Sequence, residues 1–380
     1  MSDHAGGLAR SIRGQAQRRP ERRREADTRE DRMQHRHLAA ACALLLVTAL
    51  VSVVPWPAGR LVEAQTAPAS ATAVPRTADG RPDLQGVWLS NTATPLERPA
   101  ALAGRERLTD EEVATLQERA NRIFGNGRSA FAAGDAPFRA AFENIDTFDA
   151  PTSTSSSLGM VERAFDNRTS MVVDPPDGRI PDETEAARQR QSAVADGWRY
   201  KTGPEDFSTI HRCITTGVPR LGGNFGAGPY TYYQIVQTPT YVALVNEAFH
   251  DARLIPLDGR PHLPEGIRQW NGDSRGRWAG DTLVVETRNF SSSSYFRGAA
   301  EGLHLVERFT RTAPDTITYS MTFTDPATWA APWTAEMLLE GMDEAIYEFA
   351  CHEGNHSMIG MLGTARLEGR AEAAANSGVR

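Results

Sequence analysis

The chain of 380 residues is long enough for one large or two modest domains. It carries 41 basic and 48 acidic residues, a formal net charge of −7. This acidic balance gives no support for a nucleic acid or an anionic membrane surface as a partner.

The N-terminal region has the layout of a secretory signal peptide over residues 33–64. An apolar run at 38–54 follows the letters "MQHRH", and small residues lead to a cleavage site after Ala64. An uncleaved membrane anchor is the alternative. Residues 1–32 carry nine arginines and no apolar pattern, which indicates a start assigned too early or a basic extension. We therefore expect an exported protein, periplasmic or extracellular, with no membrane partner after cleavage.

The exported chain would keep 30 basic and 41 acidic residues, a net charge of −11. Its first residues, 65–80, are rich in alanine, threonine and proline and read as a flexible leader. We expect a helical and irregular wrapping segment over 81–205. In that segment the patterns predict a short strand at 81–90, a strand that runs into a turn over 169–181, and helices at 110–123 and 181–199.

From Tyr232 onward the pattern changes to strands separated by turn signals. Eight runs have strand character: 232–237, 240–247, 252–257, 281–288, 302–311, 315–324, 332–340 and 345–351. Because an open sheet leaves edge strands exposed, we expect an antiparallel meander that closes into a calycin-like barrel of about eight strands. This barrel domain, with a C-terminal helix, would span 206–368, and 369–380 would be a disordered tail.

Two cysteines, Cys213 and Cys351, remain after cleavage and predict a disulfide. Two separately buried thiols are the alternative. A disulfide would bring the neighbouring pairs His211–Arg212 and His352–Glu353 together, since bonded cysteines lie about 5–6 Å apart at their Cα atoms. Such a cluster could perform acid–base catalysis or hold an anion. A purely structural polar cluster around the disulfide is the alternative reading.

Residues 352–356 spell H-E-x-x-H, the signature of zinc metalloproteases. Zinc binding requires both histidines on one helical face. Here Gly354 disfavours a helix and Asn355 favours a helix start, so we expect a strand ending near Cys351 and a helix from His356. The two histidines would then lie on different elements. We predict no cofactor, and zinc held by His352 and His356 stays a testable alternative.

Two further groups are candidates for ligand binding. The stretch "EAFHDARLIPLDGRPH" contains His250 and Arg253, with a satisfied interior polar group as the alternative reading of His250. The stretch "RQWNGDSRGRWAGD" is expected to be a loop at the barrel mouth, where a salt-bridged loop that seals the barrel is the alternative. Its candidate residues are Arg268, Asp273, Arg275 and Trp278.

Several phrases together resemble an uncharacterised family of exported proteins from environmental bacteria. They include "RPDLQGVW", "TSMVVDPPDGRIP", "YYQIVQTPTYV", "HDARLIPLDGRPH", "GDSRGRWAGDTLVVET" and "YEFACHEGN". The resemblance covers nearly all of 80–368. It implies export and a shared architecture but no activity. Members commonly carry an aromatic residue at the position of His356, which implies that H-E-x-x-H is peculiar to this chain.

Three functions remain open from the sequence. The leading hypothesis is an exported barrel that binds a small, partly apolar molecule. Its walls would be the inward side chains Tyr319, Met321, Phe323, Trp333 and Met337. The alternative is an acid–base enzyme, a lyase, isomerase or hydrolase, that uses His211, Arg212, His352 and Glu353. The third is a structural envelope protein, which an interior filled by side chains would favour.

Overall fold

The structure, a computed structural model, describes residues 73–124, 138, 141–142, 164–196, 203–215, 217–219, 232–293, 296–299 and 301–377. The predicted basic extension and signal peptide lie outside these residues, and so does most of the leader. All described residues belong to one unit, Ala69–Arg380. No helix in this described part of the chain is long and apolar enough to cross a membrane.

Among the described residues, ten antiparallel strands form one sheet, which confirms the prediction of a mainly β protein. The strands are β1 (Gly86–Leu89), β2 (Val172–Asp174), β3 (Tyr232–Gln237), β4 (Tyr241–Asn246), β5 (Ala252–Pro256), β6 (Asp273–Ala279), β7 (Thr282–Arg288), β8 (His304–Ala313), β9 (Thr316–Thr324) and β10 (Trp333–Met342). Their order across the sheet is β5-β4-β3-β1-β10-β9-β8-β7-β6, and β2 also pairs with β10.

The long strands alternate as their sequence pattern predicts. In β9 the apolar residues from Ile317 to Phe323 are buried while the intervening hydroxyl residues are partly exposed. In β10, Trp333 and Met337 face the same side and pair with Phe323 and Tyr319. Because the side chains of a strand point alternately to opposite faces, one face of the sheet collects the apolar residues and forms the core.

The calycin-like barrel is not confirmed, because the sheet does not close. The terminal strands β5 and β6 share no ladder of hydrogen bonds among the described pairings. They nevertheless approach each other closely. A Cβ atom added at Gly276 of β6 would lie 2.6 Å from Leu257 and 2.8 Å from Ile255. The sheet therefore curves until its two edges pack through side chains, and its apolar face is concave.

The segment 81–205 contributes strands to the same sheet as the segment 206–368. Strand β1 lies between β3 and β10, with Val87 opposite both Gln234 and Met342. Strand β2 pairs with the beginning of β10. The N-terminal segment therefore joins the meander β3–β5 to the meander β6–β10, which the local sequence pattern did not anticipate.

Within the described ranges, four α-helices have defined bounds: α1 (Asp110–Phe124), α2 (Glu185–Asp196), α3 (Cys351–Gly354) and α4 (Ser357–Ser377). Helix α1 begins as predicted, since the backbone N–H of Thr109 donates to Glu112 at 2.8 Å and that of Glu112 donates to the Thr109 hydroxyl. Helix α4 continues through most of the tail predicted at 369–380.

Two predicted elements differ from the structure. The predicted strand at 345–351 is wrong, because residues 345–350 carry no regular structure and Cys351 begins the short helix α3. The predicted mouth loop is largely strand β6, which pairs with β7 along its whole length. Only the residues before Asp273 keep the loop conformation expected for that stretch.

Candidate functional site

Side chains fill the centre of the concave face. Tyr319 is 2% exposed, and the other four expected wall residues are fully buried. Phe323 stacks on Trp333 with ring centroids 4.0 Å apart and on Phe296 at 4.9 Å. A ligand in the middle of the sheet would have to displace this packing, so the centre has the character of an ordinary core.

A cavity of about 20 Å³ lies beside this core, between strands β3, β4, β5, β8 and β9. Its apolar lining comes from Val218, Pro219, Leu244 and Phe309. A single water molecule requires about 10–15 Å³ of such space, so the cavity accepts one water-sized group. Any larger molecule must extend beyond it.

A buried ion pair forms part of the cavity lining. The Arg253 guanidinium donates to both carboxylate oxygens of Glu307, at 2.8 and 3.1 Å. The Tyr319 hydroxyl also donates to Glu307. The side chain of Glu307 is 1% exposed and that of Arg253 is 10% exposed. Three strands, β5, β8 and β9, therefore meet in one polar network on an otherwise apolar face.

The protonation states in this network are determined by burial and by the paired charges. Burial by itself lowers the pKa of Arg253, but the Glu307 carboxylate and its hydrogen bonds raise that pKa above its ordinary value. Burial raises the pKa of Tyr319 well above its ordinary value, and the charge of Glu307 adds to this. Tyr319 is therefore a hydrogen-bond donor at neutral pH and does not act as a base.

A second polar group lines the cavity next to the ion pair. The side-chain amide of Asn271 donates to Asp251 at 2.6 Å, and the Thr215 hydroxyl donates to its other oxygen. The backbone N–H of Asn246 donates to the carbonyl of Asp251, which fixes the start of β5 beside β4. Side chains from two other segments thus hold the carboxylate, and a third segment holds the backbone of the same residue.

The disulfide between Cys213 and Cys351 is present, with Cα atoms 5.7 Å apart, and confirms the predicted pairing. Near it, the Asn355 amide donates to the carbonyl of His211 at 2.8 Å and approaches the sulfur of Cys213 at 3.3 Å. The side chain of Asn355 thus attaches the start of α4 to the disulfide. It also accepts a hydrogen bond from the Ser357 hydroxyl.

The four residues of the predicted acid–base cluster point to different partners. The Nδ1 atom of His211 lies 2.7 Å from the Ser208 hydroxyl, and Arg212 lies over the ring of Trp270 at 5.8 Å. His352 and Glu353 are exposed on α3. Among the described residues, no hydrogen bond or ion pair joins these two side chains to His211 or Arg212. The disulfide brings the segments together without assembling one network.

The two histidines of H-E-x-x-H lie on either side of a break in the helix. Helix α3 ends at Gly354, Asn355 is its C-cap, and α4 begins at Ser357. His352 belongs to α3, whereas His356 lies between the two helices. Within the described ranges, no group of three or more histidine, cysteine, aspartate or glutamate residues is placed to hold a metal ion. Absence of a cofactor stays a prediction.

Of the predicted ligand-binding residues whose side chains are described, only Arg253 lines the cavity. Asp273 accepts hydrogen bonds from Arg275 at 2.6 Å and from the backbone of Leu263 at 2.8 Å, and lies 3.0 Å from Nδ1 of His262. This cluster fastens the loop before β6 to the strand. Its charged side chains are paired with one another, as in the alternative interpretation of this stretch as a salt-bridged loop.

Arg268 and Trp278 are not among the described residues that line the cavity. Arg268 donates to the carbonyls of Phe290 and Glu301, at 3.2 and 3.3 Å. Trp278 packs against the edge of the core, with Arg81 at 5.7 Å from its ring. His250 ends a short 3-10 helix, and its side chain lies outside what the structure describes.

Sequence reasoning overlooked Glu307, although the sequence contained a signal. Glu307 lies between the inward residues Leu305 and Phe309, so the period of two places a charge on the core face. A buried charge requires a partner, and Arg253 occupies an inward position on β5. No local pattern marked Asn271 or Thr215.

Comparisons with protein-family models, with curated proteins and with solved structures found no match to this chain. The resemblance to exported bacterial proteins therefore stays a prediction. Function has to be argued from the site alone, because a fold does not determine an activity.

Proposed function

We propose that the protein is an exported binder of a small, partly apolar molecule, and that it binds this molecule at the cavity beside Arg253. The observation that carries the proposal is the combination of a buried polar network with an apolar rim. Val218, Pro219 and Phe309 provide the rim, and the ion pair of Arg253 with Glu307 provides the polar wall. Ligand sites commonly combine apolar walls with a few fixed polar groups.

The energetics of the ion pair support a role beyond stability. Replacing a buried ion pair by apolar side chains of similar volume is often neutral or stabilising, so the pair is not needed to hold the sheet together. Buried charges beside a cavity are frequent in functional sites. The disulfide supports export, since disulfides persist in oxidising compartments.

The test uses four probes that combine an unbranched chain of five or six carbons with different head groups: 1-hexanol, hexylamine, hexanoate and hexyltrimethylammonium. Binding to the full chain, secreted by an expression host, is followed by ligand-observed NMR and by thermal shift. We expect at least one probe to bind. Val218→Trp fills the rim and should abolish binding, whereas Val236→Trp, on the outer face of β3 at 42% exposure, should not.

Two outcomes would contradict the proposal. One is that no probe binds to the folded wild-type protein. The other is that the rim variant and the outer-face variant bind equally, since binding would then occur elsewhere. Either result would favour the structural envelope protein, for which the filled centre of the sheet already argues.

An acid–base enzyme is the second candidate. The hydrogen bond from Asn355 to the carbonyl of His211 favours it, because α3 and its His352 are attached beside His211. Hydrolysis of p-nitrophenyl acetate provides a test with a chromogenic probe. The enzyme hypothesis requires a slower rate in His352→Ala than in the matched control His356→Ala, with melting temperatures unchanged. Equal rates in the two variants would reject it.

A further inference from the structure

We infer that the protein has a second binding site, at Arg98, and that this site takes a carboxylate group. Arg98 is not among the described residues that line the cavity, so the inference does not depend on the proposed function. Three features carry it: the burial of Arg98, the lack of a carboxylate paired with it, and a neighbouring loop that is shaped around its guanidinium.

Arg98 is a buried cation. The residue is 5% exposed, and an arginine side chain keeps its positive charge in a folded protein. Arginine is rarely buried to this extent unless an opposite charge accompanies it, because an ion that leaves water loses its hydration. Among the described residues, no carboxylate forms an ion pair with Arg98, and its side-chain hydrogen bonds go to uncharged groups. Its charge is therefore not compensated by this part of the chain.

The acidic residues close to Arg98 in the structure are directed to other groups. The Glu97 carboxylate accepts a hydrogen bond from the backbone N–H of Ile180 at 3.0 Å and lies 3.9 Å from the Arg179 guanidinium. The Asp177 carboxylate accepts a hydrogen bond from the backbone N–H of Arg179 at 3.0 Å. Arg179 also donates to the backbone carbonyl of Arg98 at 3.3 Å. Neither carboxylate therefore serves as the counter-ion of Arg98.

The hydrogen bonds of Arg98 leave part of its guanidinium available. Its Nε atom donates to the Thr169 hydroxyl and its Nη1 atom to the carbonyl of Pro176, each at 2.9 Å. A guanidinium has five N–H groups, so both N–H groups of Nη2 and one of Nη1 have no acceptor among the described residues. Solvent reaches Nη2, because in the described part of the chain Trp333 Nε1 is the only buried side-chain nitrogen or oxygen without a hydrogen-bond partner.

The loop over 175–180 is shaped around this guanidinium. Gly178 has a φ of +74°, and a Cβ atom there would lie 2.9 Å from both the central carbon and Nη2 of Arg98. It would also lie 2.5 Å from the Ser170 hydroxyl oxygen. The carbonyl of Gly178 accepts a hydrogen bond from the backbone N–H of Arg98 at 2.8 Å. Glycine thus allows the loop to hold the guanidinium in one orientation, which reduces the entropy that a ligand would otherwise have to remove.

Charge and shape together select a carboxylate as the ligand group. The N–H groups of a guanidinium lie in one plane and match the two oxygens of a carboxylate or a phosphate. A carboxylate carries a single negative charge, which compensates the single charge of Arg98. A phosphate group carries more than one negative charge at neutral pH and would leave the site with an excess. Chloride has the right charge but offers no pair of oxygens.

The experiment compares sodium acetate with sodium chloride at equal ionic strength, using the full secreted chain. Acetate presents the carboxylate with only a methyl group attached. We expect the melting temperature of the wild type to rise with acetate and to saturate, as for a ligand that binds the folded state. Arg98→Lys keeps the charge but loses the planar group, and it should lose the saturable rise. Arg107→Lys, at an exposed arginine of the same segment, is the matched control and should keep it.

A second measurement covers the case in which Arg98→Lys does not fold. In the wild type, the amide resonance of Gly178 should shift when acetate is added and should not shift with chloride. The inference is overturned if acetate and chloride give equal melting temperatures, if Arg98→Lys keeps the full saturable rise, or if the Gly178 resonance does not move. A larger saturable rise in phosphate than in acetate would overturn the choice of a carboxylate.

Discussion

The ion pair between Arg253 and Glu307 allows a quantitative prediction about stability. Replacing Arg253 by Met leaves the Glu307 carboxylate, 1% exposed, with the Tyr319 hydroxyl as its hydrogen-bond donor. Removing one partner of a buried pair costs about 3–5 kcal/mol of the free energy of unfolding. This is a large part of the roughly 5–15 kcal/mol that stabilises an ordinary domain, so the variant should stay folded but with a narrow margin.

The double variant Arg253→Met/Glu307→Leu removes both charges and should recover most of this loss. We expect its free energy of unfolding to lie within about 1–2 kcal/mol of the wild-type value, because apolar replacement of a buried ion pair is often close to neutral. Tyr319→Phe serves as the control for the hydroxyl alone and should cost about 1–3 kcal/mol.

Urea unfolding followed by tryptophan fluorescence, with the disulfide intact, measures these changes. The dependence of the unfolding free energy on urea should be the same in all variants, as required for a comparison of stabilities. Glu307→Leu alone completes the cycle. If the double variant loses the sum of the losses of Arg253→Met and Glu307→Leu, the pair is not coupled and the reasoning is wrong. A loss below about 1 kcal/mol for Arg253→Met would also refute it, since the charge would then be solvated.

Four further predictions concern other parts of the molecule. Cys351→Ser should lower the free energy of unfolding by about 5 kcal/mol in the chain-entropy model, because the disulfide closes a separation of 138 residues. Urea unfolding with and without reductant checks this. A neighbouring arginine and the Thr109 cap lower the pKa of Glu112 from 4.5 to about 2. The carboxylate therefore stabilises α1 above pH 4.5, and this stabilisation is lost as the pH falls towards 2. NMR titration of the carboxyl group measures the pKa, and a midpoint near 4.5 would contradict the prediction. Gly276→Val should lower the free energy of unfolding by about 1–3 kcal/mol, because the added side chain would clash with the facing edge strand. Arg277→Val, on the exposed side of β6, should leave the free energy of unfolding unchanged. Equal urea midpoints for the two variants would show that the edges do not pack. Elemental analysis of the secreted chain, purified without chelators, should find no stoichiometric zinc, and zinc that is lost in His352→Ala would reverse that expectation.

Local patterns predicted the elements whose residues repeat with a regular period. Strand β9 alternates over its whole length, and α1 has both residues of a capping box, so each could be located from its own sequence. Strand β6 was missed because charged residues and Gly276 interrupt its alternation, and its pairing with β7 overrides this weak propensity. The stretch 345–350 has apolar residues near strand spacing, but among the described pairings it has no partner strand, and Tyr347 is 75% exposed.

The candidate site was harder to predict because it depends on contacts between distant residues. Arg253 and Glu307 are 54 residues apart, and their pairing follows from the curvature of the sheet rather than from either strand. The disulfide could be predicted from the cysteine count, because only one pairing is left once the predicted signal peptide, which contains Cys42, is set aside. The orientation of His211 towards Ser208 was not predictable, since it depends on a local turn beside Cys213.

The position of β1 between β3 and β10 has a consequence for how the chain folds during synthesis. Val87 pairs with Met342, so a strand that is made early has to wait about 250 residues for one of its two neighbours. Contacts of such long range form slowly, because the intervening chain loses much of its freedom before they are made. Until β10 arrives, both β1 and the partly built meander expose unpaired edges that can join other chains. Fragments that end before Trp333 should therefore aggregate rather than accumulate as soluble intermediates.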